Sequence, residues 1–360
     1  MDFTFYKDRK VLITGHTGFK GSWMCRVLEN AGARIFGYAL ESPTDPALFQ
    51  LCRIGDGMQS RIADIRDFDR LKSAFDEFGP EIVIHMAAQP IVRTSYKEPR
   101  VTYETNVMGT VNVLECCRLS DTVRSVVNVT TDKVYRNEER NEAFREEEYL
   151  DGYDPYSNSK SCSELVTSSY RNAFLKEKGI PVSTCRAGNV IGGGDFAKDR
   201  IVPDCYRAAS KGESIIVRNP HSVRPYQHVL EPVCAYLEVA KRQYEDPAFS
   251  GAYNIGPDEE SIINTGRLTD LFCEKWEKYT GKRPEWIDRY DGGPHEAGCL
   301  KLDNRKVKET FGIKPRWNID ETLGRTVEWY AAFSGGGDMI ALTDSQIREF
   351  LKDDKDTRDM

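Results

Sequence analysis

The sequence predicts an α/β protein built on a doubly wound parallel sheet, and three observations carry that prediction. Short β-rich runs alternate with helical segments through the first half of the chain. These runs are nearly continuous in apolar character, as strands covered on both faces must be. A glycine-punctuated turn follows the first of them and opens a helix.

The elements follow in order. "KVLIT" is the first strand, a helix starts at about Lys20, and "ARIFGYA" and "SRIADI" are the next strands. A helix runs through "FDRLKSAFDEF", then come the strand "EIVIHMAA" and a helix across "VTYETNVMGTVNVLECCR". The strand "RSVVNVTT", a long helix after "DPYSNSK" and the strand "PVSTCRAGNV" complete a Rossmann-type pattern. Beyond about residue 190 the rhythm gives way to Gly- and Pro-punctuated loops such as "GGGD", "RNPHSVRPYQHV", "NIGPDEES" and "GGPHEAG". The expected division is a dinucleotide-binding domain with the catalytic residues over 1–190 and a smaller substrate-binding lobe, mainly 191–333. Some segments of that lobe return to the first domain, and it closes over the carboxyl ends of the strands. Residues 334–360 read as a tail, a linker followed by a solvated helix.

Composition narrows the function classes. A chain of 360 residues with 39% hydrophobic content can bury a sizeable core. Its formal net charge of -7 comes from mixed charges with no long basic run, which argues against nucleic-acid binding and leaves room for a local basic pocket. No run approaches the roughly 20 apolar residues of a membrane span, and "MDFTFYKDRK" is unlike a signal peptide, so a cytoplasmic protein is expected. The ten cysteines are scattered without a CxxC, and the five histidines are dispersed, so neither a disulfide framework nor a metal site is expected.

"TGHTGFKG" sets Gly15, Gly18 and Gly21 at G-x-x-G-x-x-G spacing. Residues without Cβ let the backbone approach a pyrophosphate, and the helix N-terminus then faces its negative charge. At the end of the second strand stand Tyr38, Ala39 and Leu40, with Glu41 just beyond and no Arg or Lys to meet a 2′-phosphate, which favours NAD over NADP.

"DPYSNSK" places Tyr156 and Lys160 four residues apart at a helix start, on one face. An ammonium beside a phenol favours the phenolate, so Tyr156 is expected to have a lowered pKa and to exchange a proton with a substrate hydroxyl. Thr131, at the end of the preceding strand, supplies a hydroxyl for the substrate alcohol. Asp132 and Lys133 come next in "VTTDKVY". An adjacent carboxylate and ammonium are most often a solvated strand end, yet here they directly follow a residue that should touch the reacting alcohol.

Taken together, "TGHTGFKG", "HMAAQPIVRTSYKEP", "TYETNVMGTVNVLE", "VTTDKVY", "DPYSNSK", "RAGNVIGGGDFAKDRIVPD", "RNPHSVRPYQHVLEP" and "HEAG" resemble the CDP-glucose 4,6-dehydratases, which are extended short-chain dehydrogenase/reductases. The resemblance runs from the glycine loop to about Tyr330; Phe196 and Val134 stand where that family usually has Trp and Cys. It implies conversion of CDP-glucose to its 4-keto-6-deoxy product with loss of water. Tyr156, Lys160 and Thr131 would serve C4 oxidation, Asp132 would be the acid for the C6 hydroxyl, and Lys133 either the C5 base or a cation stabilising the enolate. It further implies NAD against Gly15, Thr17, Gly18, Phe19, Gly21, Asp64, Ile65, Ala87, Ala88, Gln89, Asn106, Thr130, Tyr156 and Lys160. The sugar nucleotide would meet Asn189, Arg200, Val202, Arg218, Arg224, His228, His295 and Glu296, and the chain would pair into a homodimer through a four-helix bundle, or into a tetramer. The rivals are a dTDP- or GDP-sugar dehydratase, a 4-epimerase, and, from another class, a non-catalytic NAD-binding regulator. Five intact reactive residues speak against the last.

Overall fold

The computed structural model describes residues 1–290 and 298–352. Six parallel strands, β1 (Lys10–Thr14), β2 (Arg34–Ala39), β3 (Gln59–Ile62), β4 (Ile82–His85), β5 (Ser125–Val129) and β6 (Val182–Ala187), run in the order β3-β2-β1-β4-β5-β6. A seventh, Ala252–Ile255, pairs parallel with β6 and completes the sheet. Every residue of β4 and β5 is buried, which explains the unbroken apolar runs. The strand order reverses around β1, which pairs with β2 on one side and β4 on the other, so a crevice opens at the carboxyl ends there.

Helices cover both faces, and two cores result. One lies under the Phe68–Phe78, Gly109–Leu119 and Pro155–Tyr170 helices. The other runs from the Phe19–Asn30 helix into the late segments, where Tyr206, Trp276 and Tyr330 pack together. No described helix is long and apolar enough to cross a membrane.

The tail differs from expectation. Met339–Leu351 is a packed helix: the Asp338 carboxylate accepts from the backbone N–H of Ile340 and Ala341, and Met339, Ile347 and Phe350 are buried. Both Asp344 oxygens take the Arg26 guanidinium at 2.7 Å, tying this helix to the first one. An N-cap and an apolar stripe outweigh the "GGG" that suggested a linker.

Candidate active site

The glycine loop begins where β1 ends. Gly15 has φ +81°, and a Cβ there would come 2.8 Å from the Ala87 nitrogen; one on Gly21 would come 2.1 Å from the Gly15 carbonyl oxygen. Gly18 caps the Phe19–Asn30 helix without a side chain over its end, which leaves first-turn N–H groups facing the crevice. This cradle fits a dinucleotide diphosphate. Thr17 steadies it by donating to the Leu40 carbonyl at 2.8 Å, and His16, which sequence reading passed over, is buried against Ser60 with its pKa lowered to about 4 by burial.

The rest of the expected cofactor set divides into walls and supports. Asp64 follows β3 and accepts from the Arg66 backbone at 2.9 Å and guanidinium at 2.6 Å, which holds its carboxyl below the usual range. Ile65 fills the space over Gly109. Ala87 and Ala88 lie on the turn after β4, anchored by Thr14, whose hydroxyl oxygen accepts from the N–H of Met86 and Ala87 at 3.1 Å. Asn106 is spent inside the protein: its carbonyl oxygen accepts from Gln89 N–H at 2.8 Å and its amide donates to the Gln89 carbonyl and Ser159. It therefore fixes the Gln89 turn to the Tyr156 helix.

Across the crevice, β5 delivers Thr130, Thr131 and a single helical turn, Asp132–Val134. The Thr130 hydroxyl bonds the Glu164 carboxylate. The Thr131 hydroxyl donates to Asp132 Oδ1 at 3.0 Å and accepts from the Lys133 N–H at 3.4 Å. Asp132 is buried, and burial raises its pKa against the opposing pull of Lys133, Thr131 and Arg224. Among the described residues its Oδ2 is buried with no hydrogen-bond partner. Lys133 is half-buried on the cleft wall, and its amine makes no hydrogen bond or ion pair among the described residues.

Asp154, accepting from Ser157 N–H at 3.0 Å, and Pro155 start the helix that carries Tyr156 and Lys160. The lowered phenol expected from the sequence is not what this environment produces. Burial pushes Tyr156 up to about 12, with the Thr131 hydroxyl working the other way, and Lys160 is the group brought down, to about 7, by burial and by Lys20. The Lys160 ammonium donates to the Val129 carbonyl at 3.0 Å. Spacing put the two side chains on one face, but burial decides the titration.

A cleft of about 420 Å³ joins these groups to the late lobe. Thr131, Asp132, Lys133 and Tyr156 line it together with Asn189, Arg200, Val202, Arg218 and Arg224. Arg200 pairs with Asp195 at 2.8 Å and Arg218 with Asp199 at 2.6 Å, while Arg224 donates to the carbonyls of Val223 and Gly298. His228 does not reach the cleft. Its ring is fully buried between Trp23 and Trp317, accepts from the Leu230 N–H at 3.3 Å, and has its pKa lowered to about 3 by burial. His295 and Glu296 lie outside the described residues. Lys20 was missed, although a lysine inside the glycine motif is itself a signal; it lines the cleft beside Phe19.

Comparison with known proteins matches this geometry to a family. The chain is 46% identical over 357 residues, 98% of each sequence, to the CDP-glucose 4,6-dehydratase of Salmonella typhimurium. Among solved structures, the UDP-glucuronic acid 4-epimerase of Bacillus cereus, in complex with UDP-glucuronic acid and NAD, superposes with TM-score 0.76 at 20% identity, covering 90% of this chain and 99% of that one. The dTDP-glucose 4,6-dehydratase of Bacillus anthracis, in complex with NAD, gives TM-score 0.73 at 20% identity, covering 92% and 99%; both establish the shared fold. The family model described as GDP-mannose 4,6 dehydratase matches residues 12–326, and the chain belongs to that family of extended short-chain nucleotide-sugar dehydratases.

Proposed function

We propose that the protein is an NAD-dependent CDP-glucose 4,6-dehydratase. One observation carries the reading beyond oxidation to dehydration: a buried carboxyl oxygen without a partner, Asp132 Oδ2, beside the unpaired amine of Lys133, both next to the Thr131 and Tyr156 hydroxyls. A bound nicotinamide supplies the acceptor and later the donor of one hydride. Tyr156 takes the C4 hydroxyl proton as the phenolate while Thr131 holds that oxygen; burial raises its pKa in the free protein, so a bound nicotinamide's positive charge and a protonated Lys160 would have to supply the pull that ionises it. The resulting 4-ketone acidifies C5–H. Lys133, as the free amine, takes that proton, and Asp132, whose pKa burial raises, gives a proton to the C6 hydroxyl, which leaves as water. Lys133 then returns the proton to C5.

CDP-glucose is the substrate we assign, on the 46% identity to a CDP-glucose 4,6-dehydratase and on the six cationic side chains that line the cleft. Turnover of CDP-, dTDP-, GDP- and UDP-glucose, read as the 4-keto chromophore in base, tests it. CDP-glucose is expected to be used far ahead of the others; failure to convert it, or release of an epimer with C6 oxygen retained, would overturn the reading. The homodimer is part of the same proposal. Val101, Met108 and Leu165 are exposed apolar side chains on the Pro99–Leu119 and Pro155–Tyr170 stretches, which pack on one another, and this exposed apolar surface supports pairing with the same two helices of a second copy.

A further inference from the structure

We propose that Lys20 is a diphosphate-binding residue of the cleft, its ammonium pairing with a phosphate oxygen of a bound nucleotide. The inference rests on the nucleotide reading above and adds to it a residue with no assigned role. Lys20 is half-buried at the start of the Phe19–Asn30 helix, on the cleft wall that also holds Asp195 and Arg200. Among the described residues its amine makes no hydrogen bond or ion pair.

Charge accounting singles it out. Among the described residues the cleft is lined by six cationic side chains and four carboxylates, in a chain whose formal net charge is -7. Asp195 is met by Arg200, and Asp199 and Asp204 by Arg218. Asp132 has Lys133 beside it. Arg224 donates to backbone carbonyls and Arg93 is engaged elsewhere, so among the described residues Lys20 is the cleft cation with neither a hydrogen bond nor an ion pair nor an adjoining carboxylate in the chain, and a half-buried, unpaired ammonium is costly unless a ligand completes it. Burial and the neighbouring Arg200 lower its pKa to about 8, against the pull of Asp132 and Asp195; an incoming dianion would restore the proton. Lysine serves phosphate as a point charge, so a single ammonium at this spot suffices.

The proposed reaction brings two diphosphates to this cleft, the cofactor's and the sugar nucleotide's, and binding measurements separate them without relying on turnover. Wild type, Lys20→Met and Lys20→Arg are titrated by calorimetry with NAD alone and with CDP-glucose alone, at low and high salt. Lys20→Met is expected to weaken one ligand by roughly 10- to 100-fold and leave the other unchanged, which also shows the fold intact. Loss for NAD assigns the cofactor's diphosphate, loss for CDP-glucose the sugar nucleotide's, and the gap should narrow at high salt and largely close with Lys20→Arg. Both affinities weakened but rescued by arginine would also support the assignment. Both unchanged, or both weakened without rescue, would overturn it. A wild type that binds neither ligand would overturn the nucleotide reading and this inference with it.

Discussion

Asp132 splits its carboxyl between two environments: Oδ1 takes the Thr131 hydroxyl, and Oδ2 is buried with nothing to bond among the described residues. Leaving a buried acceptor empty costs on the order of 1–3 kcal/mol, a sum that a substrate hydroxyl can recover. Asp132→Asn should therefore lower dehydration by roughly 10²- to 10⁴-fold while substrate-dependent nicotinamide reduction, followed by absorbance in stopped flow, persists; loss of both together would show a structural role instead. Lys133→Met should likewise keep that reduction but lose exchange of the C5 hydrogen with deuterated solvent. Exchange at the wild-type rate would leave Lys133 as an enolate-stabilising cation. That Thr131, Asp132, Lys133 and Tyr156 share one cleft was legible because each stands at short-range spacing against a strand end or helix start. The direction of the Tyr156 shift was not, since it comes from packing by residues distant in sequence. His228 misled for the same reason: its neighbours Trp23 and Trp317 come from opposite ends of the chain.

The Pro155–Tyr170 helix carries Tyr156, Lys160 and Glu164 on one face, so the element that presents the acid–base pair also anchors itself. Arg186 of β6 grips Glu164 with two bonds, at 3.0 and 2.9 Å, and both side chains are buried. Glu164→Gln should cost about 3–5 kcal/mol in chemical denaturation, because the guanidinium is left buried without its counter-charge; a loss under 1 kcal/mol would mean the helix holds its place by packing alone. The glycine loop is equally exacting. Gly21→Ala forces a methyl onto the Gly15 carbonyl, so the loop must move and NAD affinity should fall while the far lobe keeps its CDP-glucose binding. Most strands of the sheet were readable as short, nearly continuous apolar runs set between helical segments. The Ala252–Ile255 strand was not, because it lies among Gly/Pro-rich segments and joins the sheet only through its pairing with β6. The Met339–Leu351 helix was expected, but as a solvated one; its docking was not legible because its partner Arg26 lies at the other end of the chain.

At the scale of the whole molecule one core runs from the Phe19–Asn30 helix into the segments beyond residue 190, and His228 sits against it. Its ring centroid is 5.7 Å from that of Trp23, on the first helix of the sheet domain, and 4.7 Å from that of Trp317, just before the Ile319–Ser334 helix. Burial lowers its pKa to about 3, so the folded protein keeps the imidazole neutral where an unfolded chain would protonate it near pH 6.5. The unfolded state then binds the extra proton. Stability contributed by the neutral ring is complete above about pH 6.5 and drains away as pH falls toward about 3. His228→Phe removes that proton from the linkage and keeps a ring between the two indoles. Comparing urea unfolding of the two proteins cancels the other titrating groups, so the variant should gain on wild type as pH drops, by roughly 2 kcal/mol at about pH 5. Because the ring lies outside the cleft, KM for CDP-glucose at neutral pH should not change. Parallel stability profiles, or a raised KM with unchanged stability, would return His228 to the substrate site that its sequence motif suggested.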